Sequence, residues 1–196
     1  INHGDALVAE AQWDALPNYM EGNAERVMPV VDVSGSMNCP AGGNPNVTCM
    51  DVAVSLGLYV SERNVGPFKD AFVTFSSTPQ VQYLKGSLSE RYAQLSSSEW
   101  AMSTNLEAVF NLILRKGKAL NVPESEMPTM IMIYSDMQFN SACGSGVNPT
   151  AQEMIEKQYA EAGYKMPKVV YWNLKASNTD SPVKFDKQGT ALVSGF

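Results

Sequence analysis

The residues with the clearest capacity for chemistry follow a short apolar run, where Asp32, Ser34 and Ser36 stand at alternate positions. Side chains two residues apart point the same way along an extended backbone, so Asp32 and Ser34 share a face at the end of a predicted strand. A turn at Gly35 can bring Ser36 in beside them. One carboxylate and two neutral hydroxyl oxygens suit a hard divalent cation such as Mg²⁺, with Mn²⁺ or Ca²⁺ as alternatives. An ion held by so few charges stays electrophilic and can accept an acidic group from a partner.

Two further polar residues stand at boundaries of the same kind. Thr104 precedes a predicted helix, and Asp136 closely follows an apolar strand. In an open parallel sheet, ligands bind beyond the carboxyl ends of the strands, at the point where the strand order reverses. Strands one and four flank this point in one common doubly wound order, so we expect Asp32 and Asp136 to face each other across it.

Apolar periodicity and breaker residues divide the chain into alternating helices and strands. The predicted helices cover residues 5–16, 50–63, 87–97, 106–120 and 150–162. The predicted strands cover residues 26–34, 71–75, 81–84, 130–134, 169–174 and 190–193. Strands that read as continuous apolar runs indicate a doubly wound, mainly parallel α/β sheet covered by helices on both faces. Residues 1–25 are assigned to an N-terminal helix and lead-in that pack on the domain, and residues 26–196 to the domain itself.

Composition argues against several function classes. The chain has 196 residues, a net charge of −6 and no basic run, so we expect no direct nucleic-acid binding by this segment. No apolar stretch reaches the roughly 20 residues of a membrane span, and no secretory leader is visible. The chain begins at Ile1 rather than Met. We therefore expect it to be part of a larger chain, located in the cytoplasm.

The chain has three cysteines, Cys39, Cys49 and Cys143. An odd number fits a reducing compartment better than a disulfide scaffold, and free thiols are the preferred interpretation. A bridge between Cys39 and Cys49 stays open on spacing, because it would close the segment 39–48, an expected loop rich in Gly, Pro and Asn. A zinc site would need a fourth ligand, and the single histidine, His3, is far away in sequence.

The pattern Asp-x-Ser-x-Ser, with an isolated Thr before a helix and an Asp after the fourth strand, resembles the metal-ion-dependent adhesion site of von Willebrand factor A domains. The matching positions are Asp32, Ser34, Ser36, Thr104 and Asp136. The resemblance implies a six-stranded, mainly parallel sheet with one antiparallel edge strand. It also implies that Ser34, Ser36 and Thr104 contact the ion directly, that the aspartates often act through waters, and that a ligand carboxylate completes the shell. The expected partner is therefore a protein that presents an Asp or Glu.

A longer resemblance covers nearly the whole chain. Its segments are AEAQW at 9–13, SDMQF at 135–139, GY at 163–164, WNL at 172–174 and LVSGF at 192–196. They resemble a family of uncharacterised proteins in plants, phages and large viruses, whose C-terminal part is an A-type domain related to that of the Ro RNA-binding autoantigen. That family usually continues into one more helix, which is not seen after Phe196, so we expect one sheet face to be less covered unless the N-terminal helix or a partner fills it. For a viral source, the expected location is the host cytoplasm or the virion.

Other functions are weaker interpretations of the same residues. The main alternative to protein docking is a structural or ribonucleoprotein role, in which the domain acts with an upstream RNA-binding region. A magnesium-dependent phosphatase of the haloacid dehalogenase type is less favoured, because its general acid would be an Asp at the position of Ser34. The lone His3 precedes the fold and cannot serve a Ser-His-Asp triad, and the sequence has no phosphate-binding Gly-x-x-x-x-Gly-Lys-Ser/Thr loop. We therefore expect no enzyme activity.

Polar residues near these motifs receive structural interpretations. Asn38 and Ser103 are candidates for supporting hydrogen bonds, with helix capping favoured for Ser103. Ser135 is interpreted as a turn residue. Asp51 is interpreted as an acidic residue that favours the start of a helix through the helix dipole.

Overall fold

The computed structural model describes residues 3–74, 79–98, 106–136, 149–175 and 189–195. Within these ranges the helices are α1 His3–Asp14, α2 Cys49–Arg63, α3 Leu88–Ser96, α4 Leu106–Ala119 and α5 Pro149–Glu161. The strands are β1 Val27–Val31, β2 Pro40–Ala41, β3 Asn44–Thr48, β4 Ala71–Thr74, β5 Val81–Tyr83, β6 Met130–Ser135, β7 Lys168–Asn173 and β8 Thr190–Ser194. No helix in the described ranges has the length and apolar character needed to cross a membrane.

Six of the strands form one sheet in the order β5-β4-β1-β6-β7-β8. Neighbouring strands are parallel except β4 and β5, whose antiparallel pairing places β5 at an edge. The predicted fold class is confirmed: this is a doubly wound, mainly parallel, Rossmann-like α/β sheet with one antiparallel edge strand. The strand order reverses between β1 and β6, so the carboxyl ends of these two strands border a crevice at the position where the site is predicted.

The central strand β1 is buried along its whole length, which explains its continuous apolar sequence. One face of the sheet packs against α4 and α5 through side chains that include Phe110 and Tyr159. The opposite face packs against α2 and α3 through side chains that include Val54, Leu58 and Leu95. Two apolar clusters therefore hold the sheet between two helix layers and fix the strand ends that carry the predicted site.

Residues 39–48, expected to be a loop, contain a hairpin in which β2 pairs antiparallel with β3. Gly42 and Gly43 both have positive φ angles, 56° and 77°. A two-residue hairpin turn of type I′ requires positive φ at both central positions, and glycine adopts it without steric cost. The expectation of an irregular loop is wrong here, because the glycine pair makes the turn of a hairpin.

Helix α1 lies against α2. Trp13 Nε1 donates to Glu62 Oε2 over 2.7 Å, and the Arg63 guanidinium carbon lies 6.0 Å from the centroid of the Trp13 ring. Tyr59 Oη donates to the Pro17 carbonyl over 2.7 Å and holds the segment that follows α1. The N-terminal segment thus packs on the helix layer, while the domain boundary at residue 26 stays a prediction.

The face of the sheet that α2 covers at β1 is more open at β7 and β8. Val193 on this face is 40% exposed, and Val170 and Trp172 are only half-buried. Trp172 and Val193 are register partners on neighbouring strands, so their side chains lie side by side. Among the described residues, this face of the sheet is therefore less covered at β7 and β8 than at β1.

Candidate metal centre

Asp32 follows β1 directly, and both oxygens of its carboxylate accept hydrogen bonds. Its backbone N–H donates to the Tyr134 carbonyl over 3.0 Å, which extends the pairing of β1 with β6 by one residue. Asp32 Oδ1 accepts from the Ser34 backbone N–H over 2.9 Å, and Oδ2 accepts from Ser135 Oγ over 2.7 Å. The carboxylate of Asp32, which is only 8% exposed, is thus fixed at the mouth of the crevice between β1 and β6.

The two serines of the motif are brought together by a 3₁₀ turn over Gly35–Asn38. The turn begins where Met37 N donates to the Ser34 carbonyl over 3.0 Å. It places Ser36 Oγ 2.9 Å from Ser34 Oγ. Met37 anchors the turn, because its side chain is fully buried in the apolar cluster under α2. The sequence-based expectation that a turn at Gly35 brings Ser36 beside Ser34 is confirmed.

Asp136 is the first residue after β6, and it is fully buried. Its backbone N–H points to Met37 Sδ, 3.1 Å away, so the end of β6 contacts the turn that carries the serines. The charge of Asp136 contributes to the raised pKa of Asp32, so the two carboxylates are close enough to interact across the point where the strand order reverses. Thr104, the fifth predicted ligand, lies outside the described residues.

The pKa of the buried Asp32 carboxyl group departs from its ordinary value. Burial raises the pKa of the Asp32 carboxyl group, hydrogen bonds from Ser135 and Ser34 oppose this shift, and the charge of Asp136 adds to it. The net pKa lies above the ordinary value. Ionised Asp32 is therefore held at a site where the protein itself does not fully compensate its charge.

The donors at this centre are oxygens of two kinds, carboxylate and hydroxyl. Among the described residues, no three Asp, Glu, His or Cys side chains form a group that would hold a metal by themselves. A cation at the end of β1 would therefore be bound in part by serine hydroxyls. Hard divalent cations accept such neutral oxygen donors.

Ser135 is the functional residue that the sequence interpretation missed. It is the last residue of β6 rather than a turn residue, it is fully buried, and it donates to Asp32. Its position follows from the strand register, because Val31 and Tyr134 pair in parallel and the next residue on β6 lies beside Asp32. Asn38 instead donates to the Gly35 carbonyl over 3.2 Å and so supports the turn itself. Ser103 lies outside the described residues.

Comparison with known proteins places the chain in a family. Residues 26–196 match the family described as Domain of unknown function (DUF7788). This chain belongs to the DUF7788 family. The DUF7788 chain is 39% identical over 196 residues to Uncharacterized protein L728 of Acanthamoeba polyphaga mimivirus. The similarity covers 98% of this chain and 32% of that relative, so the chain spans about a third of the relative's length.

The fold of this DUF7788 domain is similar to that of the Ro (RSR) protein of Deinococcus radiodurans in its crystal structure. The TM-score is 0.61 at 18% sequence identity, and the likeness covers 88% of this chain and 32% of that chain. An identity this low shows a shared fold alone. The function of this DUF7788 domain therefore has to be argued from its own site.

Proposed function

We propose that this DUF7788 domain binds Mg²⁺ and uses the ion to dock an acidic side chain of a partner protein. The proposed ligands are Asp32, Ser34, Ser36, Thr104 and Asp136, of which Thr104 rests on the sequence resemblance alone. The observation that carries the proposal is the 2.9 Å separation of Ser34 Oγ and Ser36 Oγ. Adjacent ligands of an octahedral Mg²⁺ ion, with bonds of about 2.0–2.1 Å, lie about 2.9 Å apart. Both oxygens therefore fit two neighbouring positions around one ion.

The charges at the site also favour a cation. Asp32 and Asp136 are both buried, and the charge of Asp136 disfavours ionisation of Asp32. A divalent cation close to both carboxylates replaces their repulsion with attraction, and the low local dielectric strengthens that attraction. Two carboxylates and neutral hydroxyls leave such an ion with affinity for one more carboxylate, which an Asp or Glu of a partner supplies.

The same arrangement supports docking rather than catalysis. The residue two positions after Asp32 is Ser34, whose hydroxyl cannot act as a general acid at neutral pH. Asp32 itself accepts hydrogen bonds on both carboxylate oxygens, from Ser34 N and Ser135 Oγ. These bonds reduce its strength as a nucleophile and suit a ligand with a fixed orientation.

Calorimetric titration with Mg²⁺ tests the metal site. We expect Asp32→Asn, which keeps the side-chain shape but removes the charge, to bind Mg²⁺ at least about 100-fold more weakly than wild type, equal to about 2.7 kcal/mol. Asp51→Asn is the matched control, because Asp51 is also partly buried and hydrogen-bonded but belongs to the start of α2. Equal binding heats for wild type and Asp32→Asn would exclude the site.

The docking step is tested by selecting, from a peptide display library, the peptides that bind the immobilised domain in the presence of Mg²⁺. We expect the captured peptides to share an Asp or Glu and to lose binding when that residue is changed to Asn or Gln. Capture should also disappear in a metal chelator and with Asp136→Asn. If the domain binds Mg²⁺ but captured peptides share no acidic residue, the docking function is wrong while the metal site stands.

A further inference from the structure

Cys39 and Cys49 lie opposite each other at the open end of the hairpin formed by β2 and β3. Cys49 N donates to the Cys39 carbonyl over 2.9 Å, and the next pair toward the turn, Pro40 and Thr48, are register partners. The two sulfur atoms are 3.5 Å apart. Opposite residues on antiparallel strands have Cα atoms about 4.5–5.5 Å apart, and disulfides span about 4.4–6.8 Å. The backbone therefore already has the separation that a disulfide needs.

We propose that Cys39 and Cys49 form a reversible disulfide within the chain, although both thiols are free in this structure. The pair is a reactive site separate from the candidate metal centre, and it does not depend on metal binding. Because both cysteines flank the same hairpin and their side chains already touch, closure needs no rearrangement of the surrounding helices.

The two thiols differ in their access to an oxidant. Cys39 is partly exposed, whereas Cys49 is fully buried, with its sulfur 3.5 Å from the Leu174 carbonyl oxygen. Burial and the neighbouring Cys39 raise the pKa of Cys49 to about 12, so Cys49 is protonated at neutral pH. Cys39 is therefore the thiol that reacts first, and Cys49 is the thiol that resolves the intermediate.

The oxidant in this reaction is a small-molecule disulfide such as oxidised glutathione, also called glutathione disulfide. The Cys39 sulfur attacks one sulfur of glutathione disulfide, which forms a mixed disulfide and releases one reduced glutathione. The Cys49 sulfur then attacks the Cys39 sulfur of the mixed disulfide, and the second glutathione leaves. The two protons of the protein thiols end on the two released glutathione molecules, and the glutathione disulfide takes up the two electrons.

The product links two structural elements. Cys39 follows the 3₁₀ turn that carries Ser36, and its N–H donates to the Ser36 carbonyl over 3.2 Å. Cys49 is the first residue of α2. A disulfide between them joins this turn to the start of α2 and restricts the hairpin segment in the unfolded chain, which stabilises the folded state.

The test is oxidation of the purified Cys143→Ser protein with glutathione disulfide, followed by mass spectrometry of unreduced peptides. Cys143 is removed because it would offer a third thiol. We expect peptides joined through Cys39 and Cys49 with no glutathione retained. The melting temperature should rise by about 5–10 °C and return to its starting value with dithiothreitol.

Two variants in the same background are the controls. Cys49→Ala is expected to keep one glutathione on Cys39, because the resolving thiol is gone. Cys39→Ser is expected not to react, because the buried Cys49 alone does not meet the oxidant. The proposal is wrong if the Cys143→Ser protein keeps glutathione on Cys39, if it does not react, or if the linked product melts at a lower temperature than the reduced protein.

Discussion

Two short segments on either side of the hairpin use the same residue types for different purposes. We call residues 32–36 the site loop, and we call residues 48–51, the junction where β3 meets α2, the capping loop. In the capping loop, Thr48 Oγ1 accepts from Asp51 N over 3.1 Å, and Asp51 Oδ2 accepts from Thr48 N over 2.9 Å. Tyr92 Oη donates to the other carboxylate oxygen over 2.7 Å. These bonds form a capping box, so Asp51 and Thr48 serve the start of α2.

The pKa values of the two aspartates shift in opposite directions. Burial alone would raise the pKa of Asp51, but hydrogen bonds from Thr48 and Tyr92 outweigh it, and the pKa falls below its ordinary value. At Asp32 burial dominates, the charge of Asp136 adds to it, and the pKa rises despite the bonds from Ser34 and Ser135. The fold therefore favours the charge of Asp51 and disfavours the charge of Asp32. The fold accounts for the ionised carboxylate of Asp51, and the proposed cation would account for that of Asp32.

The largest expected effect concerns how the site loop is held. Met37 is fully buried under α2, so Met37→Ala should lower the free energy of unfolding by about 2–5 kcal/mol, measured by urea denaturation. Met154→Ala is the control, because Met154 is 59% exposed and its loss should cost less than about 0.5 kcal/mol. Equal effects of the two changes would show that core packing does not anchor the site loop.

Added Mg²⁺ should stabilise the protein through the candidate metal centre, to which the site loop belongs, and not through the capping loop. At a free concentration 100 times the dissociation constant, the gain is about 2.7 kcal/mol, which raises the melting temperature by about 5–10 °C. Thermal melts should show this rise in wild type and in Thr48→Ala but not in Asp32→Asn. A rise of similar size in Asp32→Asn would mean that Mg²⁺ binds elsewhere.

The capping loop should affect stability without affecting metal binding. Thr48→Ala removes the hydroxyl that caps α2 and should cost about 1 kcal/mol, measured by urea denaturation in a chelator. Thr48→Ser keeps the hydroxyl and should restore most of this loss. If Thr48→Ala weakened Mg²⁺ binding as strongly as Asp32→Asn, the two loops would act as one unit and the distinction between them would fail.

The sequence predicts most of the fold because the signals for its elements are local. The apolar run that ends at Asp32 and the one that ends before Asp136 mark two strands, and the common strand order brings their ends together. The hairpin was equally predictable from Gly42 and Gly43, and treating a turn signal as a breaker hides it. The pairing of Cys39 with Cys49 was not predictable in this way, because the register of the hairpin shifts between Pro40 and Ala41.

The supporting residues of the site were harder to predict because they depend on register. A serine before Asp136 is as common in a turn as in a strand, and only the alignment of β1 with β6 puts Ser135 beside Asp32. The capping box was within reach, since Thr48 stands three residues before Asp51 at the start of an apolar helix. Binding of Mg²⁺ by the five proposed ligands, Thr104 among them, stays a prediction.

The smallest expected effect concerns how the free energy of unfolding depends on pH. The contributions of Asp32 and Asp51 to this free energy should have opposite signs, measured by urea denaturation in a chelator. A carboxyl group with a lowered folded pKa stabilises the fold above its unfolded pKa of about 3.9, and this contribution is lost as the pH falls through the folded pKa. Wild type should therefore exceed Asp51→Asn in stability at pH 6, and the difference should shrink toward pH 3.

For Asp32 the folded pKa is raised, so ionisation at neutral pH weakens the fold, and protonation removes this penalty as the pH falls through the folded pKa. Asp32→Asn should thus be more stable than wild type at pH 7 without metal, and the difference should shrink as the pH approaches 4. Saturating Mg²⁺ should reverse the order at pH 7, because only wild type gains the energy of binding. If Asp32→Asn behaves like Asp51→Asn, losing stability at pH 7 without metal, then the carboxylate of Asp32 serves the fold and the contrast between the two loops is wrong.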